Sequence, residues 1–166
     1  MSKSIIIIKQ LTVAYQGKLA LKEIEVAIQS KKITGIIGPN GAGKSTFIKA
    51  VIELIPKLSG DIIFGEHSLK EARKKIAYVE QRNELDLSFP IDVLGVVLLG
   101  TYPSLKLGQR PGKKEKVQAK QALKKVGMEM YEKRQISELS GGQLQRVFIA
   151  KALAQKAEWI FLDEPF

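Results

Sequence analysis

Residues Gly38, Pro39, Asn40, Gly41, Ala42, Gly43, Lys44, Ser45 and Thr46 form one run that brings together three glycines, a cation and two hydroxyls. Those residue types in that order suit phosphate binding. Glycines let main-chain N–H groups close around phosphate oxygens. A helix beginning here adds the positive end of its dipole. Lys44 is spaced to reach β- and γ-phosphates, and the Ser45 hydroxyl to ligate Mg²⁺. A second set lies at the other end of the chain, where Asp163 and Glu164 follow the apolar run Trp159-Ile160-Phe161-Leu162. Asp163 suits a place near a divalent cation, usually through water. Glu164 could orient or deprotonate an attacking water. Taken alone, this pair fits an ordinary polar turn equally well. A third set, Leu139-Ser140-Gly141-Gly142-Gln143, puts a good N-cap before two glycines. It offers a second anion-binding helix end, although by geometry alone a plain capped helix accounts for it.

The elements that must position these residues can be read from periodicity. Lys32-Ile33-Thr34-Gly35-Ile36-Ile37 reads as a short buried strand. Phe47, Ile48, Val51, Ile52 and Ile55 recur at helical spacing, with Pro56 as the stop. Strand, glycine loop and helix in succession are the context that a G-x-x-x-x-G-K-[ST] match requires. Trp159 to Leu162 reads as a strand buried on both faces of a parallel sheet, ended by Pro165. Leu144, Val147 and Phe148 continue from Ser140 as a helix. Residues 1–30 read as edge strands, Asp61 to Gly65 as part of a hairpin, and Ile76 to Glu80 as a strand before Gln81. Residues 82–140 read as a helical insertion into a single domain, 1–166. Alternation of strand and helix in the core predicts an α/β fold with a mainly parallel sheet.

With GPNGAGKST, LSGGQLQR and FLDEP in this order, the chain resembles the ATP-binding-cassette (ABC) ATPase family over essentially its whole length. The resemblance implies a P-loop nucleotide-binding domain with an N-terminal antiparallel β subdomain and a helical insertion, using ATP and Mg²⁺. It implies that Tyr15 stacks on adenine. Gln81 would reach the Mg²⁺ site with Ser45 and Asp163, and would link the nucleotide to a transmembrane permease. Lys44, Gln81 and Glu164 would be the catalytic group. It also implies a head-to-tail dimer with a second nucleotide-binding subunit, in which Ser140, Gly141, Gly142 and Gln143 close over the partner's γ-phosphate. Short aromatic and glutamine matches are weak, and a half-buried strand tyrosine or a solvated loop glutamine accounts for Tyr15 and Gln81 as well.

One departure is visible. The family pattern continues past the acidic strand end to a further strand and a histidine, and this chain stops at Phe166. The only histidine, His67, comes too early and reads as a surface turn residue. The expectation is a fragment of a longer subunit or a shortened reading frame, binding ATP weakly and hydrolysing it poorly.

Composition fits a soluble intracellular domain. There is no cysteine, hence no disulfide or thiol chemistry. No run reaches the ~18 apolar residues that a membrane-spanning helix needs. The net charge is +10, and much of the excess falls between Lys106 and Lys125. A solvated face is the plain reading of such a run, with an anionic membrane face or nucleic acid as others. No aromatic residue interleaves the basic loop, which weakens the nucleic-acid reading. Val117, Ala119, Ala122, Leu123 and Val126 form an apolar helix stripe there, with Gly127 as its cap.

Leu87 to Leu94 (LSFPIDVL), VVLLGTYPSL and the terminal LDEPF are similar to ATPase subunits of importers for manganese, zinc or chelated iron. On that resemblance Phe89, Pro90 and Val93 are the candidate permease contacts. The location would be peripheral, on the cytoplasmic membrane face, with a substrate-binding protein in the full system. The transported ion would not touch this chain, which has no ligand-spaced His/Cys/carboxylate cluster. Two other readings stand beside this one: a soluble ABC ATPase acting on ribosomes or DNA, and a non-catalytic ATP-binding module.

Overall fold

Residues 5–28 combine an isoleucine run with stretches where apolar and polar side chains alternate, and they form two antiparallel strands. The computed structural model describes residues 5–67, 69–79 and 89–163. The chain folds as two compact units, Met1–Arg73 and Lys74–Phe166. In the first, β1 (Ile6–Tyr15) lies between β2 (Lys18–Ile28) and β3 (Ser59–Phe64). It is therefore the centre of its sheet and not an edge strand. Ile6, Ile8, Leu11 and Val13 are all buried, although Ile8 and Leu11 are an odd number of residues apart. A register shift between them against both neighbours absorbs the extra residue. Such a bulge returns the side chains to the same face. The hairpin reading is met locally only by one antiparallel bridge, Phe64 with His67, where His67 N donates to Phe64 O at 3.0 Å; the ladder of residues 61–64 lies elsewhere. They pair with β1 (Ile6↔Phe64, Ile8↔Ile62), because that strand's free edge offers a longer ladder.

Helix α1 (Lys44–Val51) buries Phe47, Ile48, Ala50 and Val51. It ends well before Pro56. Glu53 turns left-handed (φ 55°), with Glu53 N donating to Ala50 O and Leu54 N to Lys49 O, so hydrogen bonds of the Schellman type close the helix before the proline is reached. The expected strand Lys32–Ile37 is a second correction. Among the described residues it enters no ladder, and Ile33 and Ile37 are fully exposed. Apolar, β-branched composition favours a strand, but a strand exists only where a neighbour supplies the hydrogen bonds.

In the second unit β4 (Ile76–Val79) and β5 (Trp159–Leu162) pair in parallel, Ile76 opposite Trp159 and Val79 opposite Leu162. Helix α5 (Gly141–Ala154) covers one face through Phe148 and Ala152 against Ala77 and Val79. Beyond α5, Ile160 and Leu162 stay 43% and 37% exposed. The expected burial of this strand on both faces is therefore not met within a sheet of two strands. Helices α3 (Val93–Leu99) and α4 (Lys113–Lys125) pack with α5 around Val97, Leu123, Leu144 and Val147, all buried. Each such side chain contributes roughly 1.5–3 kcal/mol when fully buried. Short α2 (Leu69–Lys74) precedes β4. Among the described residues no helix is long and apolar enough to cross a membrane.

The end of α4 follows the sequence reading closely. Gly127 is left-handed (φ 66°), its N–H donates to Lys124 O, and Met128 N–H donates to Leu123 O. Met128 and Leu123 are both fully buried, so the turn also seals the helical core. A Cβ at Gly127 would have open space, which leaves backbone strain as the sole penalty. We expect Gly127→Ala to lower stability by about 1 kcal/mol, with Gly127→Asn losing less. Urea denaturation checks this, and equal midpoints for Ala and wild type would contradict it.

Candidate functional site

Of the first nine residues singled out by sequence, residues 38–42 form an exposed loop, Gly43 caps α1 and residues 44–46 are its first turn. Ala42 N donates to Pro39 O at 3.2 Å across Asn40 and Gly41, and Gly41 takes the positive φ (79°) of a tight turn. Gly43 is the N-cap, left-handed at φ 88°. A Cβ there would meet Leu21 Cδ2 at 3.0 Å and Ala20 O at 3.2 Å, so the backbone approaches its neighbours as only glycine allows. Lys44 opens the helix and folds back over the loop, its Nζ donating to Gly38 O and Pro39 O, both at 2.9 Å. Ser45 and Thr46 follow in the first turn, partly buried.

The start of α1 differs from the other helix starts in one respect. The Asp92 carboxylate accepts from Gly95 N at 2.6 Å at the head of α3. The Glu115 carboxylate accepts from Gly112 N at 2.8 Å at the head of α4, and this backbone bond holds its pKa below the usual glutamate range. Helix α5 carries a complete capping box. Ser140 Oγ accepts from Gln143 N at 3.4 Å, and Gln143 Oε1 accepts from Ser140 N at 2.9 Å. Helix α1 has no side-chain cap and no acidic residue in its first turn. A cation, Lys44, stands where the dipole favours an anion.

At the head of α5, Gly141 is partly buried and Gly142 is exposed. A Cβ on Gly142 would meet nothing within 4 Å. Nothing inside the chain requires a glycine there for space. Arg146 Nε donates to Gly142 O at 3.4 Å.

Asp163 follows β5 and is 4% exposed. Its N–H donates to Val79 O at 3.0 Å, and its Oδ2 accepts from the Tyr78 hydroxyl at 3.1 Å. Tyr78 had not been singled out. Its partner lies across a parallel pairing and 85 residues away, so no local pattern in the sequence signals it. Tyr15 ends β1 opposite Lys18, half-exposed, before the Gln16–Gly17 turn. Gln81 and Glu164 lie outside the described residues. Of the three candidate permease contacts, Phe89 and Pro90 are exposed and Val93 is fully buried. Val93 opens α3 inside the helical core, with its N–H donating to Arg134 O, and so faces no partner.

The loop fits phosphate oxygens, since it offers N–H groups at an uncapped helix start with an ammonium beside them. Ser45 offers a hydroxyl oxygen and Asp163 carboxylate oxygens, donors that suit a hard ion such as Mg²⁺. The ABC transporter family model matches residues 21–166. The chain belongs to the ABC transporter family. It is 59% identical over 159 residues to the manganese transport system ATP-binding protein MntB of Listeria monocytogenes, a match covering 96% of this chain and 66% of that one. It is 51% identical over 160 residues to the zinc transport system ATP-binding protein TroB of Treponema pallidum, covering 96% and 60%. The chain thus spans 60–66% of the length of these relatives. Its fold matches a bacterial ABC transporter cassette solved as a dimer, with a TM-score of 0.80 and 29% identity over 96% of this chain and 74% of that one. An α/β ABC cassette with an antiparallel N-terminal sheet is therefore the correct reading of the fold.

Removing the Tyr78 hydroxyl leaves a nearly buried carboxylate with one donor fewer. Tyr78→Phe should cost about 1–3 kcal/mol in chemical denaturation. An unchanged midpoint would show that this hydrogen bond carries no weight.

Proposed function

We propose that this chain is the nucleotide-binding part of an ATP-hydrolysing subunit that energises a membrane importer for a divalent metal ion. The observation that carries the proposal is the uncapped start of α1 with Lys44 on it. At the starts of α3, α4 and α5 a side chain accepts from a main-chain N–H, whereas α1 has no such cap and no acidic residue in its first turn, which suits an external anion. The similarity to subunits named for manganese and zinc transport supports the importer reading, with manganese favoured by the higher identity.

In this proposal the main-chain N–H groups of the Gly38–Thr46 loop hold phosphate oxygens. Lys44 exchanges its two carbonyl partners for the β- and γ-phosphates. Tyr15 stacks on the adenine ring. Ser45 Oγ, Gln81 and Asp163 would hold Mg²⁺, whose contribution when bound is to neutralise charge on the β- and γ-oxygens. Glu164 orients the attacking water and takes its proton. Tyr78 keeps Asp163 Oδ2 engaged, which fixes the direction of that carboxylate.

The second helix start belongs to a partner's nucleotide. Ser140 Oγ already accepts from Gln143 N, so its own proton remains available to a phosphate oxygen. The exposed Gly142 lets a phosphate approach the first turn of α5 without obstruction. A head-to-tail pair of subunits uses both features, and the cassette solved as a dimer supports that arrangement. Residues 82–140 act as a helical insertion of one domain. Phe89 and Pro90, exposed just before α3, are the permease contact, with the subunit peripheral on the cytoplasmic membrane face. A substrate-binding protein delivers the ion on the other side.

Two measurements test this. Lys44→Ala should weaken Mg-ATP binding by about tenfold or more, since hydrogen bonds to charged groups are worth about 1.5–3 kcal/mol. Retained affinity in isothermal titration would remove the loop assignment. Gly142→Ala should leave the chain as stable as wild type or up to about 1 kcal/mol more stable. In cells carrying the complete transport system, the same variant should abolish manganese uptake. Normal uptake would argue against a role for the α5 start in the partner's site.

A further inference from the structure

Between Lys106 and Lys125 the sequence has eight basic residues and one acidic residue, which makes +7 of the chain's net charge of +10. Lys106, Arg110, Lys113, Lys114, Lys116, Lys120, Lys124 and Lys125 are all exposed. Glu115, the single acid, has its carboxylate engaged by Gly112 N at 2.8 Å. Lys120 pairs with Glu132 at 2.9 Å. Among the described residues, Lys106, Arg110 and Lys113 enter no ion pair.

This arrangement works against stability. Like charges crowd one surface, and Lys113, Lys114 and Lys116 occupy the first turn of α4, where the helix dipole favours anions. The apolar residues inside the patch add a second feature. Lys106 to Gln109 form a tight turn, with Gln109 N donating to Lys106 O at 3.0 Å and Gln109 Oε1 accepting from Lys106 N at 3.3 Å. Gly108 takes the positive φ of that turn (81°), and Leu107 stands on its tip, completely exposed. Val117 lies amid the lysines on the outer face of α4, 55% exposed, opposite the buried Ala119, Ala122 and Leu123.

We propose that this face binds the surface of an anionic phospholipid bilayer, with Leu107 and Val117 entering the headgroup boundary and Lys106, Arg110, Lys113 and Lys114 on lipid phosphates. Cations around an exposed aliphatic tip match the two attractions that hold proteins on such surfaces, apolar burial and attraction to anionic lipid. Nucleic acid would use the charges but leave the leucine tip without a role, and no aromatic residue lies between Lys106 and Lys125 to stack on bases. The contact requires neither nucleotide nor permease, so it stands apart from the transport proposal.

Co-sedimentation of the full chain with vesicles tests it. Equimolar phosphatidylglycerol and phosphatidylcholine should bind the chain, whereas phosphatidylcholine alone should not. Lys106→Gln and Arg110→Gln should each lower the partition coefficient about fivefold, the effect of about one cation at the surface. Leu107→Ser should lower it as well, without changing its salt dependence. All three side chains are exposed, and circular dichroism verifies the fold of each variant. Equal binding to neutral vesicles, or no effect of the charge substitutions, would overturn the proposal. So would binding to duplex DNA with no binding to the anionic vesicles, which would assign the patch to nucleic acid.

Discussion

Every helix begins with N–H groups that no carbonyl one turn back can reach, and this constraint organises the chemistry of the chain. Asp92, Glu115 and the Ser140–Gln143 pair meet it locally for α3, α4 and α5. Helix α1 is different. Its cap is a glycine in a left-handed conformation, and its first residue is a lysine tied to the loop's own carbonyls. The loop is thereby closed on itself through Lys44 and its own carbonyls, without a capping side chain. Helix α5 combines both solutions, satisfying its own start through Ser140 and Gln143 while leaving the outer side of Gly142 clear.

Features that depend on a few neighbouring residues were legible in the sequence. Ser140 caps a helix and Gly127 ends one, because both are decided within one turn. The glycine turn running into α1 was legible for the same reason, as was the apolar stripe of α4. The stripe needed one adjustment, since Val117 turned out to lie on the outer face.

Features decided by pairing across the chain were not legible. Residues 61–64 have the composition of a hairpin strand, yet apart from one bridge to His67 their ladder is with β1. Lys32–Ile37 has strand composition and no ladder. Val93 has the chemistry of a contact residue, yet its position at the head of α3 buries it among side chains of other helices. The Tyr78 hydrogen bond to Asp163 depends on a parallel register between β4 and β5. Composition specifies what a segment can do, and the competition among partners decides what it does.

The extended stretch from Lys32 to Ile37 has a practical side. Among the described residues its main-chain N–H and C=O groups are not engaged in a sheet, its β-branched side chains face solvent, and no proline interrupts it. Such a segment is a template for strand addition from a second molecule. In a concentrated preparation this apolar segment would be the expected point at which one copy adds a strand to another.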